Sequence, residues 1–205
     1  MSNVASILIV GGGFAGTTLA KRLDGHLPPG CTLTLVSEES YTTFNPMLPE
    51  AVGASIFPEQ GVAPIRTMLN PRHGSRFVMG TVTGADLQAR ALECRTLAGP
   101  LQLPYTQLVM AFGNRARLDM IPGMAEHALP LKTMGDAMQI RNTVLRRIAR
   151  IELETDPALR AALGHFIIIG GGFSGTEVAG ELIDCLHSIH HYYPRALRSE
   201  LRVTV

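Results

Sequence analysis

The residues of this chain best suited to chemistry are glycines held at a fixed spacing. Gly11, Gly13 and Gly16, within Gly11-Gly12-Gly13-Phe14-Ala15-Gly16, follow the pattern G-x-G-x-x-G. In such a turn the first glycine permits a tight bend and the second lets backbone approach a pyrophosphate. The third lets a helix pack closely on a strand. The helix that follows offers the N–H groups of its first turn to an anion. One copy is weak evidence, because glycine-rich turns are common. This chain carries a second, Gly170-Gly171-Gly172-Phe173-Ser174-Gly175-Thr176-Glu177, with Gly170, Gly172 and Gly175 at the same spacing. Two copies point to two dinucleotides.

Other side chains are candidates for supporting roles. A dinucleotide fold places a ribose-binding acid at the end of its second strand, about 20 residues past the last glycine. Ser37 ends that strand here and Glu38 follows it. Glu38 is the candidate ribose contact, with Ser37 or backbone as the alternative. Glu177 and Glu181 follow the second turn at i, i+4 and so share a helix face. They are the candidate catalytic residues, against the plainer reading of helix acids that complement the dipole. His187, His190 and His191 have spacings that suit a metal, but no acid or cysteine completes a set. They read as surface histidines, and no metal is expected. Cys31, Cys94 and Cys185 are far apart and form no C-x-x-C, which removes a local zinc site or redox dithiol and leaves them as small buried hydrophobes.

These residues need a scaffold, and the hydrophobic pattern supplies one. Ile7 to Val10 is a short apolar run of the kind buried on both faces of a parallel sheet. A helix is expected from Phe14 to about His26, ahead of the breaker Pro28-Pro29-Gly30, and a second strand over Cys31–Val36. Tyr41 through Gly53 is a loop with Pro46 and Pro49 bracketing Met47-Leu48, stiff enough to hold apolar groups against a flat ring or simply to lead into a helix. A short helix should end near Leu69. From Arg76 to Val109 the period becomes two, with strands expected at Arg76–Val82, Ala89–Arg95 and Leu101–Tyr105. Leu108–Gly113 returns to a buried strand ending in glycine. Thr133 caps the next helix with Asp136 three residues on, and Met134, Met138, Arg141, Leu145 and Ile148 form one face. Arg146, Arg147 and Arg150 point elsewhere and read as a solvated face. The expected class is α/β: a doubly wound, Rossmann-like parallel sheet carrying a small antiparallel β-meander at about 76–107, followed by the start of a second Rossmann-like unit.

Composition sets limits on function. The chain has 205 residues, 46% hydrophobic and 17% charged, which suits a globular protein with a sizeable core. A net charge of +1 gives no electrostatic reason to expect nucleic acid or an acidic membrane surface as a partner. No signal peptide is expected, and no stretch approaches the roughly 20 apolar residues of a transmembrane helix. Only about one βαβ half-unit separates Gly170 from Val205, so an N-terminal fragment of a longer protein is expected.

Taken together, several stretches resemble the type II NADH:quinone oxidoreductases, within the two-dinucleotide flavoprotein superfamily. They are Gly11–Gly16, Tyr41 through Gly53, Val62-Ala63-Pro64-Ile65-Arg66, Leu108–Gly113, Ile121-Pro122-Gly123 with Leu131-Lys132-Thr133, and Gly170 through Leu182. The resemblance implies FAD held by Gly11, Gly13 and Gly16, with Gly12, Phe14 and Ala15 in the same turn. It also implies backbone contacts near Val82 to the adenine, further contacts near Ala111 and Gly113, and Pro46 and Leu48 near the isoalloxazine. NADH would bind through Gly170, Gly172 and Gly175, with an acid at the position of Glu177 facing the nicotinamide–flavin contact. Hydride would pass to the flavin and electrons on to a quinone. The implied domains are 1–133 for FAD, 134–163 as a linking helical segment and 164–205 as an incomplete NAD(P)H domain. A cytoplasmic location is implied, or the cytoplasmic membrane face for a longer parent that associates peripherally; a homodimer stays open.

Two rival readings use the same residues. Flavin disulfide reductases need a cysteine pair on the helix after the second strand, and Tyr41 to Leu69 holds no cysteine. A sulfide:quinone or flavocytochrome-type sulfide oxidoreductase needs cysteines near the flavin, for which Cys94 and Cys185 are poorly placed. A non-catalytic FAD- or nucleotide-binding module is the reading from a different class.

Overall fold

The computed structural model describes residues 5–205. The chain forms two compact units that interleave in sequence: the chain up to Thr43 with Ala63–Asn114, and Phe44–Val62 with Arg115–Val205.

The first unit is built on strand β1, Ser6–Val10. The glycine turn leads from β1 into helix α1, Phe14–Leu23. Strand β2, Thr32–Ser37, is followed by the short strands β3, Tyr41–Thr43, and β4, Val62–Pro64, which flank the excursion into the second unit. That excursion contains helix α2, Leu48–Val52. Strands β5, Ser75–Met79, β6, Thr81–Asp86, β7, Ala91–Thr96, β8, Gly99–Pro104, and β9, Gln107–Met110, complete the first unit. Four of these strands form a parallel sheet in the order β5-β2-β1-β9.

The two-residue period of β1 explains why its apolar run has no polar face. Ile9, with Ile7 partly buried beside it, packs into a core of Ala20, Leu33, Leu35, Ile65, Leu69 and Phe77. Leu8, with Val10, packs into another core formed by Val36, Leu92, Cys94, Leu103 and Tyr105. One core brings in α1 and the other the meander, so each of the four apolar side chains Ile7 to Val10 packs into a core. The chain leaves β1 toward β2 on one side and returns as β9 on the other, which puts the glycine turn at a topological switch point.

Four local expectations are corrected here. The first helix stops at Leu23 rather than His26, because Asp24 leaves helical geometry at ψ 126 and Gly25 takes a left-handed φ of 76. The second strand is Thr32–Ser37, one residue later than expected. The expected short helix is a 3-10 turn over Ile65–Met68. The expected strand Arg76–Val82 is two strands: β5 pairs in parallel with β2, and β6 opens an antiparallel meander β6-β7-β8. Gly80 divides them. A Cβ there would lie 2.6 Å from Cys94 Sγ and 2.8 Å from the Arg95 carbonyl oxygen, so backbone passes where no side chain fits.

The second unit holds α2, then helices α3, Met124–His127, α4, Met134–Ile151, and α5, Pro157–Leu163. Strand β10, His165–Ile167, runs into the second glycine turn and helix α6, Phe173–Ile189. Strand β11, Arg202–Thr204, pairs in parallel with β10. The strand opening expected at 201–205 is therefore present and has a partner. Val144, Ile148, Ile151, Leu163, Phe166, Leu182, Leu186 and Ala196 form this core.

The expected capping box on α4 is observed: Asp136 N donates to Thr133 Oγ1 at 3.1 Å and Thr133 N to Asp136 Oδ2 at 2.8 Å. Its buried face is Met134, Ala137, Val144, Ile148 and Ile151, rotated from the expected one so that Met138, Arg141 and Leu145 flank it. Arg147 does not belong to a solvated face. Its guanidinium donates to the carbonyls of Leu163 at 2.8 Å, Ala162, and His165 at 3.3 Å, and lies 5.2 Å from the Phe166 ring. It satisfies carbonyls at the end of α5, where a helix has no intrahelical donors left. Among the described residues, no helix is long and apolar enough to cross a membrane.

Candidate functional site

The two glycine turns have nearly the same backbone. Gly11 has φ 116 and Gly170 φ 112, values that side chains rarely adopt. The residues before each helix match as well: Gly13 at φ −79, ψ −170 and Gly172 at φ −76, ψ −178. A Cβ at Gly16 would overlap the Gly11 carbonyl oxygen, and one at Gly175 would overlap that of Gly170. Helix and strand therefore approach each other through bare backbone in both copies. Each first turn closes alike, with Thr17 N donating to Gly13 O and Thr176 N to Gly172 O, both at 3.0 Å.

In the first unit this turn gathers several of the candidate residues. Gly11 N donates to Val36 O at 2.8 Å, which ties the bend to the end of β2. A Cβ at Gly12 would lie 2.5 Å from both Ser37 Oγ and Ile65 Cδ1. Ser37 thus stands against the turn, while Glu38 is exposed one residue further on. Ala111 borders the other side: its N donates to Val10 O at 2.8 Å, and its carbonyl fills the space where Gly11 would carry a side chain. Gly113 follows at φ 63. Val82 lies on β6, packed with Val10 against the core of Leu8 and Val36, beside a bulge that shifts the register between Val82 and Gly84. Phe14 and Ala15 are exposed at the start of α1.

The turn is shaped to receive a group. Gly13 has nothing within 4 Å of where its Cβ would stand, so the backbone at the start of α1 is open. Thr42 Oγ1 is buried without a hydrogen-bond partner. Thr42 is on β3, which packs on the 3-10 turn of Ile65, the residue that lies against Gly12. An open anion cradle with an unanswered hydroxyl nearby fits a bound dinucleotide.

The second unit holds the other candidates. Gly172, like Gly13, is open, and so is Gly170. Glu177 is exposed in the early part of α6, and Glu181 is half-buried one turn later. Both line a cleft of roughly 240 Å³ with Pro49, Glu50, Gly180 and Asp184. Pro46 is exposed in the 3-10 turn before α2, and Leu48 is buried at the start of that helix.

Some site features were missed from sequence. Ser55 Oγ donates to Glu181 Oε2 at 2.5 Å, so this carboxylate is already engaged. Just before it, Ala54 takes a left-handed φ of 62, a conformation that costs about 1–2 kcal/mol outside glycine. Glu50 joins Glu177 and Glu181 in the cleft, and its Oε2 is buried without a hydrogen-bond partner. No motif spacing announces either residue, because α2 and α6 lie more than a hundred residues apart in sequence. Arg160 was missed for a similar reason. It holds Glu200 through two bonds of 2.7 and 2.8 Å and donates to the carbonyls of Ile151, Glu154 and Arg195.

The cysteines are all free. Cys94 and Cys185 are buried, and burial raises both thiols above their ordinary pKa, the opposite of an activated nucleophile. His191 rests on the Tyr192 ring, with centroids 3.8 Å apart.

Known proteins are similar to this chain in sequence and in fold. The external alternative NADH-ubiquinone oxidoreductase of Yarrowia lipolytica mitochondria is 27% identical over 208 residues, covering 98% of this chain and 35% of that protein. The type II NADH:quinone oxidoreductase Ndh of Mycobacterium tuberculosis is 28% identical over 178 residues, covering 87% of this chain and 38% of that protein. This chain thus spans little more than a third of the length of either relative. Its fold matches that of NDH2 from Plasmodium falciparum, solved in complex with NADH, with a TM-score of 0.89 at 22% identity, over 98% of this chain and 41% of that one. The model of the pyridine nucleotide-disulphide oxidoreductase family matches residues 5–203, and the chain belongs to that family.

Proposed function

We propose that this chain carries the FAD-binding region and the NADH-binding turn of a type II NADH:quinone oxidoreductase. The observation that carries the reading is the duplicated glycine turn, with φ 116 and 112 at its two bends and an open N-terminal glycine in each copy. Family membership supports pyridine nucleotide chemistry, and relatives named as NADH:quinone oxidoreductases support NADH and quinone as substrates.

In this reading 1–133 binds FAD, 134–163 links, and 164–205 begins the NAD(P)H domain. Gly11 to Gly16 receive the FAD pyrophosphate on the first turn of α1, with Ser37 and Glu38 toward the ribose. Val82, Ala111 and Gly113 supply further contacts, and Pro46 and Leu48 stand near the isoalloxazine. Gly170, Gly172 and Gly175 receive the NADH pyrophosphate. The flavin, when bound, supplies the hydride acceptance and the onward electron transfer that side chains cannot perform. The chain's own work is alignment: the open glycines admit the two anions, and the helix starts stabilise them. Glu177, exposed on α6, is the carboxylate available to the reacting end of the nucleotide. A peripheral membrane seat and a cytoplasmic location belong to the whole protein in this reading.

The test is spectroscopic. The purified chain should take up FAD and turn yellow, and anaerobic NADH should then bleach the flavin band near ~450 nm. A chain that takes up no FAD on reconstitution overturns the reading. Bleaching by sulfide in place of NADH moves the assignment to the sulfide oxidoreductases.

A further inference from the structure

Within the second unit, the end of α2 meets α6 at one place, and the contact there is built closely. Gly53 closes α2, its N donating to Pro49 O at 2.9 Å. A Cβ on Gly53 would lie 2.6 Å from Glu181 Oε2, and 2.8 Å from both the Cβ and the carbonyl oxygen of Glu181. No side chain fits between this glycine and α6. Ala54 then turns left-handed at φ 62, Ser55 N donates to Glu50 O at 2.9 Å, and Ser55 Oγ reaches Glu181 Oε2 at 2.5 Å. Gly53 and Ser55 are thus both committed to Glu181 of α6, with Ala54 turning the chain between them.

The position matters because of what each side of the contact carries. Glu181 is one helical turn from Glu177, on the helix that the second glycine turn opens. On the other side are Pro46 and Leu48, the stretch assigned to the flavin ring. From this geometry we infer that Ser55 and Glu181 are a positioning pair, with Gly53 as the close-approach point, which sets the register of the NADH-binding helix on the proline-bracketed segment. The inference rests on the function proposed above. Glu181 acts through Ser55 and the backbone of α2, and Glu177 keeps the exposed role in the cleft. A hydroxyl donating to a carboxylate is among the stronger side-chain hydrogen bonds and has a defined direction, which suits it to fixing register.

Two roles for Glu181 predict opposite signs. If it acted only as a negative charge near an anionic nucleotide, removing its hydrogen-bond partner would leave NADH affinity unchanged, and neutralising it would raise affinity. If it positions α6, Ser55→Ala weakens NADH binding although no charge changes. The experiment is anaerobic calorimetric titration of NADH into the FAD-reconstituted chain after its flavin has been reduced with dithionite, so that no hydride can pass. Thermal midpoints are measured on the same samples. Ser55→Ala should weaken NADH binding on the order of threefold to tenfold, with Ser55→Thr restoring it, while the midpoint stays close to that of the unmodified chain. Glu181→Gln should weaken it too. Unchanged affinity in Ser55→Ala, or tighter binding in Glu181→Gln, overturns the positioning pair while leaving the proposed function intact. An unmodified chain that binds no NADH overturns both.

Discussion

A methyl group added at Gly16 and one added at Gly13 should have opposite consequences. At Gly16 the new carbon would overlap the Gly11 carbonyl, which belongs to rigid backbone. Gly16→Ala should therefore destabilise the fold by about 1–3 kcal/mol in urea titrations, the range for overpacking a tight contact. At Gly13 nothing stands within 4 Å, so Gly13→Ala should change stability by under about 1 kcal/mol while weakening FAD uptake, because the methyl enters the cradle itself. Equal stability losses in both variants would contradict this division. Titration adds a second prediction. The bond from Arg160 holds the Glu200 carboxyl below its ordinary pKa, against burial that pushes it up. Asp24 is also held low: burial alone would raise it, but Ser75, the His73 ring at 3.1 Å and Asn70 N–H outweigh that. A depressed carboxylate stabilises the fold above its unfolded pKa, and that stability is lost as pH falls through the folded value. Urea midpoints should therefore drop below about pH 4, and Glu200→Gln should flatten the acid limb. The glycines were legible because their spacing is itself the constraint. Arg147 was not, because its partners are main-chain carbonyls, which leave no trace in residue type. Nor was Arg160, because the Glu200 carboxylate it holds lies 40 residues further along the chain.

Elements were legible in proportion to how local their causes are. The start of α4 could be read because Thr133 and Asp136 complete their capping box within four residues. Thr133→Ala should cost about 1 kcal/mol, measured by chemical denaturation, with Thr133→Ser retaining most of the stability. A loss well under half of that would show that tertiary packing alone holds the helix start. The buried face of α4 was harder to place. Its sequence offers apolar residues on neighbouring faces, and the choice falls to Leu182, Leu186 and Phe166, which are distant in sequence. Strand β5 shows the same limit. Its alternation is compatible with either sheet, and only pairing with β2, some forty residues earlier, assigns it to the parallel one. Its division from β6 depends on Cys94 and Arg95 passing over Gly80, and neither is visible from the residues around it.

At the scale of the molecule, sequence order and spatial order diverge. Residues 44–62 are embedded in the stretch that builds the first unit, yet they fold with Arg115–Val205. Hydrophobic period cannot reveal such an exchange, because it reports that a residue is buried and not against what. The resemblance of separate motifs was legible all the same and led to the family, since it depends on order along the chain and not on which unit each segment joins. The interleaving has a consequence for ligand linkage. The first glycine turn belongs to one compact unit and the second to the other, so each nucleotide should protect its own set of amides. A ligand bound only to the folded state stabilises it by RT ln(1 + [L]/Kd), about 2.7 kcal/mol at a hundredfold excess over Kd. Opening that breaks the occupied turn is slowed by up to that amount, and opening elsewhere is not. In hydrogen exchange followed by mass spectrometry, FAD should slow peptides covering Gly11–Leu23 and the segment around Ala111. NADH added afterwards should slow peptides covering Gly170–Ile189, and also those covering Gly53–Ser55, because those residues close on Glu181 of the same helix. Protection by NADH confined to the first turn would mean that the two glycine motifs do not divide the two nucleotides between them.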